Sequence, residues 1–270
     1  SLGGWIATRA AGHYATVYSQ IDDHVESLRV VTPSGTVASR RLPTSGAGPN
    51  PDRLFLGSEG ALGIITEVSV RLHPVPDAIA AAVCAFDTID EAVQAVVALL
   101  QGGVPLARIE LLDAMTIRSV NASSRLGYPE VPMLFLELHA YSAPAIAEQL
   151  AAVHELIGGF GGRVHDSATT EERRHKLWEA RHNVYYAGLA LRPGARSWTT
   201  DVCVPISQLA SVIRETRQDL EDSGILAPMV GHVGDGNFHL LMLVHPDRPG
   251  DLALARGAND RLVARALACG

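Results

Sequence analysis

The chain has 270 residues, a formal net charge of −7 and 47% hydrophobic residues, which leaves room for one large domain or two modest ones with an ample core. An acidic chain without a basic run is a poor candidate for binding nucleic acid or an anionic membrane surface. Its longest apolar runs, such as residues 78–86, are too short for a transmembrane segment.

The cysteines and the two ends of the chain bear on its compartment and on its completeness. Cys84, Cys203 and Cys269 are far apart and form no C-x-x-C pattern, which predicts a reducing compartment. No secretory signal is visible, and we expect a cytoplasmic location. Because the chain begins at Ser1 without an initiator Met and ends within an apparent amphipathic helix, we interpret it as a fragment of a longer polypeptide.

Residues 1–75 are rich in glycine and predict short strands. Residues 1–12 offer backbone that a ligand can approach closely, since Gly lacks Cβ. Residues 26–31 and 36–40 flank Pro33-Ser34-Gly35 and predict a hairpin. Three glycines at spacing three in residues 57–63 predict a loop before a strand at 67–72. This loop is not the G-x-G-x-x-G of a Rossmann unit.

After residue 76 the pattern changes to strands alternating with helices. Pro74-Val75-Pro76 predicts a boundary, because prolines end a strand ladder. Thr88 and Glu91 form a capping box for a helix that stops at Gly102-Gly103. Further strands are predicted at 79–86, 106–112, 133–140, 163–167 and 198–205, and further helices at 114–122, 144–157, 170–191, 207–221 and 250–268. This order predicts an α+β sandwich with helices packed on one sheet.

The helix predicted at 170–191 has an inward-facing arginine. Arg181 shares its face with Trp178 and Tyr185, and an unpaired buried charge is costly. Two interpretations are equally supported by the residues alone. Arg181 either pairs with a core carboxylate such as Glu110 or clamps the carboxylate of a substrate.

Residues 231–239 are the most informative stretch. Asp235-Gly236 lies between two apolar runs and predicts a two-residue hairpin turn. In that register His232 opposes His239, with their Cβ atoms roughly 4.5–5.5 Å apart, so that both imidazoles could bind one cation. The plainer interpretation is two exposed histidines beside a turn. Val230 and Leu241 favour a shared cation, because they continue the same face of the hairpin toward a core.

These residues also carry a family resemblance. Gly231-His-Val-Gly-Asp-Gly-Asn-Phe-His239 resembles the metal-binding motif in the C-terminal domain of the FAD-linked oxidase and dehydrogenase superfamily, which includes flavin-dependent D-lactate, glycolate and D-2-hydroxyglutarate dehydrogenases. Residues 199–206 resemble the cytochrome-linked D-lactate dehydrogenases of that family. The resemblance implies that His232 and His239 bind a divalent metal, typically zinc, and that Arg181 binds the substrate carboxylate. It makes Arg181, Asn237 and His239 the predicted catalytic residues. The family's Gly-Glu-His-Gly segment, with a third ligand and a base, is absent from this sequence.

The N-terminal glycine stretches resemble the second half of a PCMH-type FAD-binding domain, most closely that of alkyldihydroxyacetonephosphate synthase. The resemblance assigns residues 1–75 to that domain, and residues 76–270 to a truncated FAD-linked oxidase C-terminal domain with a mainly antiparallel sheet. The residues that would line FAD are Gly3, Gly4, Thr8, Arg9, Ala10, Ala11, Glu59, Gly60, Ala61, Leu62, Gly63, Ile64 and Ile65.

The function implied by the resemblance is oxidation of a D-2-hydroxy acid to the 2-keto acid, with hydride transfer to FAD. The expected partners are this small molecule and a separate electron acceptor, a cytochrome, a quinone or an electron-transfer flavoprotein, which would place the protein in the cytoplasm or at a membrane periphery. A homodimer is a further expectation. A positively charged residue that would bind a second carboxylate is not evident near Thr199, so we expect a monocarboxylate. The alternatives are an alkyldihydroxyacetonephosphate synthase-like transferase, a non-catalytic remnant and, with less support, a zinc hydrolase.

Overall fold

The computed structural model describes residues 1–42 and 45–270, which divide into two compact units, Ser1–Val75 and Pro76–Gly270. Both units combine helices with antiparallel sheets, so the predicted α+β class is confirmed. Among the described residues no helix is long and apolar enough to cross a membrane.

The first unit is built on a three-stranded sheet in the order β2-β1-β3. Its predicted hairpin is confirmed, because Thr32 and Gly35 pair on either side of a two-residue turn. The small core consists of Ile6, Leu28, Val30 and Leu56. The elements are α1 (Leu2–Ala7), α2 (Ala15–Tyr18), α3 (Ile21–His24), β1 (Val25–Thr32), β2 (Gly35–Ala38), a 3-10 turn (Pro51–Leu54) and β3 (Ile64–Val70).

The second unit contains one eight-stranded sheet. Seven strands follow the order β7-β4-β6-β5-β10-β11-β8, and β9 also pairs with β11. The strands are β4 (Ala78–Ala85), β5 (Leu106–Leu112), β6 (Met133–Ala140), β7 (Arg163–Ala168), β8 (Arg196–Thr199), β9 (Val202–Cys203), β10 (Met229–Gly231) and β11 (Asn237–Val244). The helices are α4 (Ile89–Gln101), α5 (Ala114–Ser124), α6 (Ala143–Gly159), α7 (Glu171–His182), α8 (Val184–Ala190), α9 (Ile206–Ser223) and α10 (Pro249–Ala268).

This sheet is covered on both faces. On β4, Ala82 and Cys84 belong to the core formed with α4, α6, α9 and α10, while Ala81 and Val83 belong to the core formed with α5, α7 and α8. Successive residues of a strand point to opposite faces, so a sheet with two covered faces needs apolar residues on both sides of its strands. The candidate site lies at the second face.

Two predicted elements are interrupted. The helix expected at 170–191 is two helices, because Asn183 both ends α7 and precedes α8. The strand expected at 198–205 is split into β8 and β9 at Thr200 and Asp201. The capping box is confirmed, with Glu91 donating its backbone N–H to the Thr88 hydroxyl and its carboxylate accepting from the Thr88 backbone N–H.

Candidate functional site

The connection between β10 and β11 is longer than the two-residue turn that we predicted, so that prediction was wrong. His239 pairs with Val230 rather than with His232, and residues 233–235 form a 3-10 turn closed by Gly236 at φ +75°. The physical reason is burial. Val233 is fully buried in the core on the other face of the sheet, and a two-residue hairpin would leave it in the strand instead.

The two imidazoles nevertheless meet. The ring centroids of His232 and His239 are 5.4 Å apart, with the ring planes at 83°. Nδ1 of His232 lies 2.5 Å from Oε1 of Glu110, and Nδ1 of His239 lies 3.1 Å from the carbonyl oxygen of Thr200. An acceptor at Nδ1 favours a proton on that nitrogen and leaves Nε2 as the lone-pair atom. A cation shared by the two rings would therefore bind through Nε2 of each.

The electrostatics around His239 favour a neutral ring. Burial is the main cause that lowers its pKa, and the nearby His232 and Arg181 lower it further. The Asp201 carboxylate and the Thr200 carbonyl act in the opposite direction without reversing the shift. Neutral imidazole is the form that binds metals.

Arg181 pairs with the core carboxylate that one of our two interpretations named. Its Nε donates to Oε2 of Glu110 at 2.8 Å. Within residues 1–42 and 45–270, the two terminal guanidinium nitrogens of Arg181 have no hydrogen bond. The ion pair therefore does not exclude the clamp, since a guanidinium has five N–H donors in a fixed fork.

Asn237 is held by its amide nitrogen. Nδ2 donates to Oδ1 of Asp201 at 2.7 Å and to the carbonyl oxygen of Val202 at 3.0 Å. Its Oδ1 atom is buried and has no hydrogen-bond partner in the described part of the chain. A buried acceptor without a partner is costly, so this oxygen is suited to a ligand hydroxyl.

The central position of Glu110 in this arrangement was not predicted from the sequence. Glu110 lies on β5, a strand in which every residue is buried, and its side chain is fully buried. We named it only as a possible partner of Arg181, and its contact with His232 was not predicted. The available signal was a carboxylate in a strand whose other residues, apart from Arg108, are apolar. Asp235 was also missed as a titrating group, and burial raises its pKa.

The predicted FAD residues fall on two stretches of the first unit that lie side by side. The backbone N–H of Glu59 donates to the carbonyl oxygen of Ala7 at 3.0 Å, and that of Gly57 donates to Ile6 at 3.2 Å. Gly57 has φ +78°, and a Cβ there would lie 2.7 Å from Cδ of Arg9.

The two stretches differ in structure. Gly3 and Gly4 lie within α1, and Thr8 ends that helix. Arg9 and Glu59 have positive φ values of +49°, and the predicted glycine loop at 57–63 is confirmed. The predicted residues Ala10, Ala11, Gly60, Ala61, Leu62 and Gly63 lie in the connecting loops, and Ile64 and Ile65 begin β3.

Comparisons with known proteins show the family to which the chain belongs. The family described as FAD linked oxidases, C-terminal domain, matches residues 75–270. A probable mitochondrial D-lactate dehydrogenase of Danio rerio is 43% identical over 99% of this chain and 55% of its own length. A mitochondrial cytochrome-type D-lactate dehydrogenase of Arabidopsis thaliana is 36% identical over 99% of this chain and 47% of its own length.

A solved alkyldihydroxyacetonephosphate synthase superposes with a TM-score of 0.75 at 22% identity, covering 98% of this chain and 52% of that structure. At this identity the similarity shows the fold alone. The chain spans about half the length of the curated relatives that it matches.

Proposed function

The chain belongs to the FAD linked oxidases through their C-terminal domain, and from this premise we propose that it carries the substrate- and metal-binding part of a flavin-dependent dehydrogenase that oxidises a D-2-hydroxy acid. One observation carries the proposal. Two oxygens of the buried Glu110 bind His232 and Arg181, so a predicted metal ligand and a predicted carboxylate clamp meet at one carboxylate.

The proposed metal ligands are His232 and His239. In both rings Nδ1 lies within hydrogen-bond distance of an acceptor oxygen, and the ring centroids are 5.4 Å apart. Two imidazoles suit zinc among the common divalent ions. A divalent ion at this place would supply Lewis-acid polarisation of the substrate hydroxyl.

The substrate would be held by two side chains. The terminal nitrogens of Arg181 match the geometry of a carboxylate, and Oδ1 of Asn237 can accept a hydrogen bond from the 2-hydroxyl. Such fixed orientation contributes several kcal/mol, about 7 or more in the best cases, to a reaction step. We propose a monocarboxylate of the D-lactate kind as the substrate.

The family implies FAD as the cofactor, and when bound it supplies the acceptor for the hydride that leaves C2 of the hydroxy acid. We propose that residues 1–12 and 57–65 contribute to holding it, because Glu59 and Ala7 join these two stretches through a backbone hydrogen bond. We further propose that residues 1–75 are part of a PCMH-type FAD-binding domain. A separate acceptor, such as a cytochrome, would then take the electrons.

The test is binding of zinc and D-lactate by the purified chain. We expect about one zinc per chain and zinc-dependent binding of D-lactate. Replacing both ligands, His232→Ala with His239→Ala, should weaken zinc binding by more than about tenfold and abolish the zinc-dependent binding of D-lactate. His154→Ala is the control, since His154 is exposed on α6. Equal zinc and D-lactate binding by the double variant would show that the proposal is wrong.

The alternative is a flavin transferase without net redox chemistry, since 42% of this chain is 42% identical to an alkyldihydroxyacetonephosphate synthase of Dictyostelium discoideum. The two are distinguished by supplying FAD, D-lactate and an electron-accepting dye. Reduction of the dye supports the dehydrogenase. FAD binding without zinc-dependent D-lactate binding and without dye reduction supports the transferase.

A further inference from the structure

Glu110 is a fully buried carboxylate with two functional neighbours. It lies on the central strand β5. Oε1 lies 2.5 Å from Nδ1 of His232, on the connection after β10, and Oε2 accepts from Nε of Arg181, on α7, at 2.8 Å. The two oxygens thus contact side chains that come from different elements.

Stability alone does not account for a carboxylate at this place. Moving an ionised carboxylate into the interior costs several kcal/mol, and a buried ion pair often adds nothing over a well-packed apolar pair. What such a pair does supply is fixed orientation. The guanidinium of Arg181 cannot turn without losing its Nε hydrogen bond, and the ring of His232 cannot turn without losing its Nδ1 contact.

We infer that Glu110 is the positioning residue of this site: it fixes the proton of His232 on Nδ1 and holds Arg181 by Nε. The inference rests on the proposed function. The ion pair with the permanently charged Arg181 favours the ionised form of Glu110, which can only accept hydrogen bonds. His232 must therefore be the donor at Nδ1, and its Nε2 carries the lone pair that a cation needs.

The variant Glu110→Gln tests this without changing the size of the side chain. An amide has one accepting oxygen and one donating nitrogen. Arg181 can only donate, so it takes the oxygen. The amide nitrogen then donates to Nδ1 of His232, which moves the ring proton to Nε2 and removes the lone pair from the metal-binding atom.

The matched control is Glu137→Gln. Glu137 is also buried on this sheet and also lies between an arginine and a histidine, accepting from Arg108 at 2.7 Å and lying 2.9 Å from Nε2 of His139. It is on β6, and neither partner is a predicted ligand. A general effect of removing a buried charge would appear in both variants, whereas loss of positioning would appear only in Glu110→Gln.

The first readout is the tautomer of His232, measured by ¹H–¹⁵N NMR of the histidine-labelled full chain at about pH 8, where an ordinary imidazole is neutral. We expect an Nδ1 proton in the wild type and in Glu137→Gln, and an Nε2 proton in Glu110→Gln. The second readout is binding of Zn²⁺ alone, which should weaken about 10- to 100-fold in Glu110→Gln and stay unchanged in Glu137→Gln.

The outcomes separate this inference from the proposed function. An Nε2 proton on His232 in the wild type overturns the inference, even if Glu110→Gln fails to fold. An unchanged tautomer with unchanged zinc affinity in folded Glu110→Gln also overturns it. If the wild type binds no zinc, the proposed metal site is wrong, while the tautomer shift still decides the role of Glu110.

Discussion

Arg181 is fixed at one nitrogen and has two more for a ligand, which makes the arginine itself testable. Lysine retains the charge but has a single ammonium group, so it cannot contact Glu110 and both oxygens of a carboxylate in the fork geometry. We expect Arg181→Lys to weaken D-lactate binding about 10- to 100-fold, which corresponds to roughly 1.4–2.8 kcal/mol.

Calorimetry with zinc present measures this change. The control is Arg192→Lys, a partly buried arginine of the same unit that pairs with Asp251. If Arg181→Lys binds D-lactate as tightly as the wild type, Arg181 acts only as an ion-pair partner of Glu110.

The cysteines give a prediction about reactivity. Cys84 is buried in β4, and burial raises its pKa to about 12, so almost none of it is thiolate near neutral pH. We expect a thiol reagent at about pH 8 to label Cys269, which is partly exposed, and to leave Cys84 unlabelled. Peptide mapping by mass spectrometry shows the sites. The control is labelling of Cys84 in denaturant, where the thiol is accessible. Rapid labelling of Cys84 in the native chain would contradict its buried position.

At the residue scale the sequence predicted which side chains meet but not what holds them. The proximity of His232 and His239 followed from the motif, although the register that we derived for it was wrong. The role of Glu110 could not follow from local pattern, because its hydrogen bonds span 71 and 122 positions of the chain. Only the order of strands in the sheet brings those positions together.

At the element scale, the turn between β10 and β11 depends on Gly236. Its φ is +75°, and a Cβ there would lie 2.1 Å from the carbonyl oxygen of Val204. We expect Gly236→Ala to destabilise the chain by at least about 2 kcal/mol, from backbone strain and from the clash with backbone. Urea unfolding measures the loss. Gly224→Ala is the control, since Gly224 has φ +67° and open space around its Cβ position, and it should cost only about 1–2 kcal/mol. Equal losses would show that the close approach to Val204 is unimportant.

The contact between α9 and α10 gives a pH dependence. Hydrogen bonds from Arg261 hold the pKa of Asp219 below its usual range, and Arg265 acts in the same direction. A carboxyl with a lowered folded pKa stabilises the fold above its unfolded pKa, and this contribution is lost as pH falls through the folded pKa. We expect Asp219→Asn to cost about 1 kcal/mol at neutral pH, a modest value because Arg261 is half exposed.

This is checked by urea unfolding at two pH values, one neutral and one well below the usual pKa of a carboxyl group. The loss caused by Asp219→Asn should shrink in acid, because the wild-type carboxyl is then protonated too. Asp222→Asn is the control, since among the described residues Asp222 accepts only from Gln218, on the exposed side of α9. A loss independent of pH would mean that the charge of Asp219 is not what joins the helices.

Most elements could be predicted because their signals are local. The bounds of β5 and β6 agree with the prediction, and so does the capping box of α4. The break at Asn183 was missed because no Gly or Pro marks it. The break at Thr200 was missed because its cause is a distant strand: the Thr200 hydroxyl accepts from the backbone N–H of Leu240. That break also places the Thr200 carbonyl at His239.

At the scale of the whole molecule, the order of the strands in the sheet could not be predicted from local sequence pattern. The sheet of the second unit places β4 between β7 and β6, and β5 between β6 and β10. Hydrophobic periodicity shows that a strand is buried but not which strand lies beside it. The clearest hint in the sequence was that β5 and β6 are mostly apolar along their whole length, which is typical of strands in a sheet covered on both faces.

The division of core between the two units leads to a prediction about folding. Both large core clusters and the eight-stranded sheet belong to residues 76–270. The described part of residues 1–75 has a three-stranded sheet and a core of four buried residues. A unit of about 60–75 residues buries too little surface to be more than marginally stable, and three short strands need a well-covered face. We therefore expect residues 76–270 alone to unfold cooperatively in urea. Residues 1–75 alone should show no cooperative transition. Circular dichroism of both pieces and of the full chain during urea unfolding measures this. Cooperative unfolding of residues 1–75 alone would contradict the assignment of stability to the second unit, and so would non-cooperative unfolding of residues 76–270.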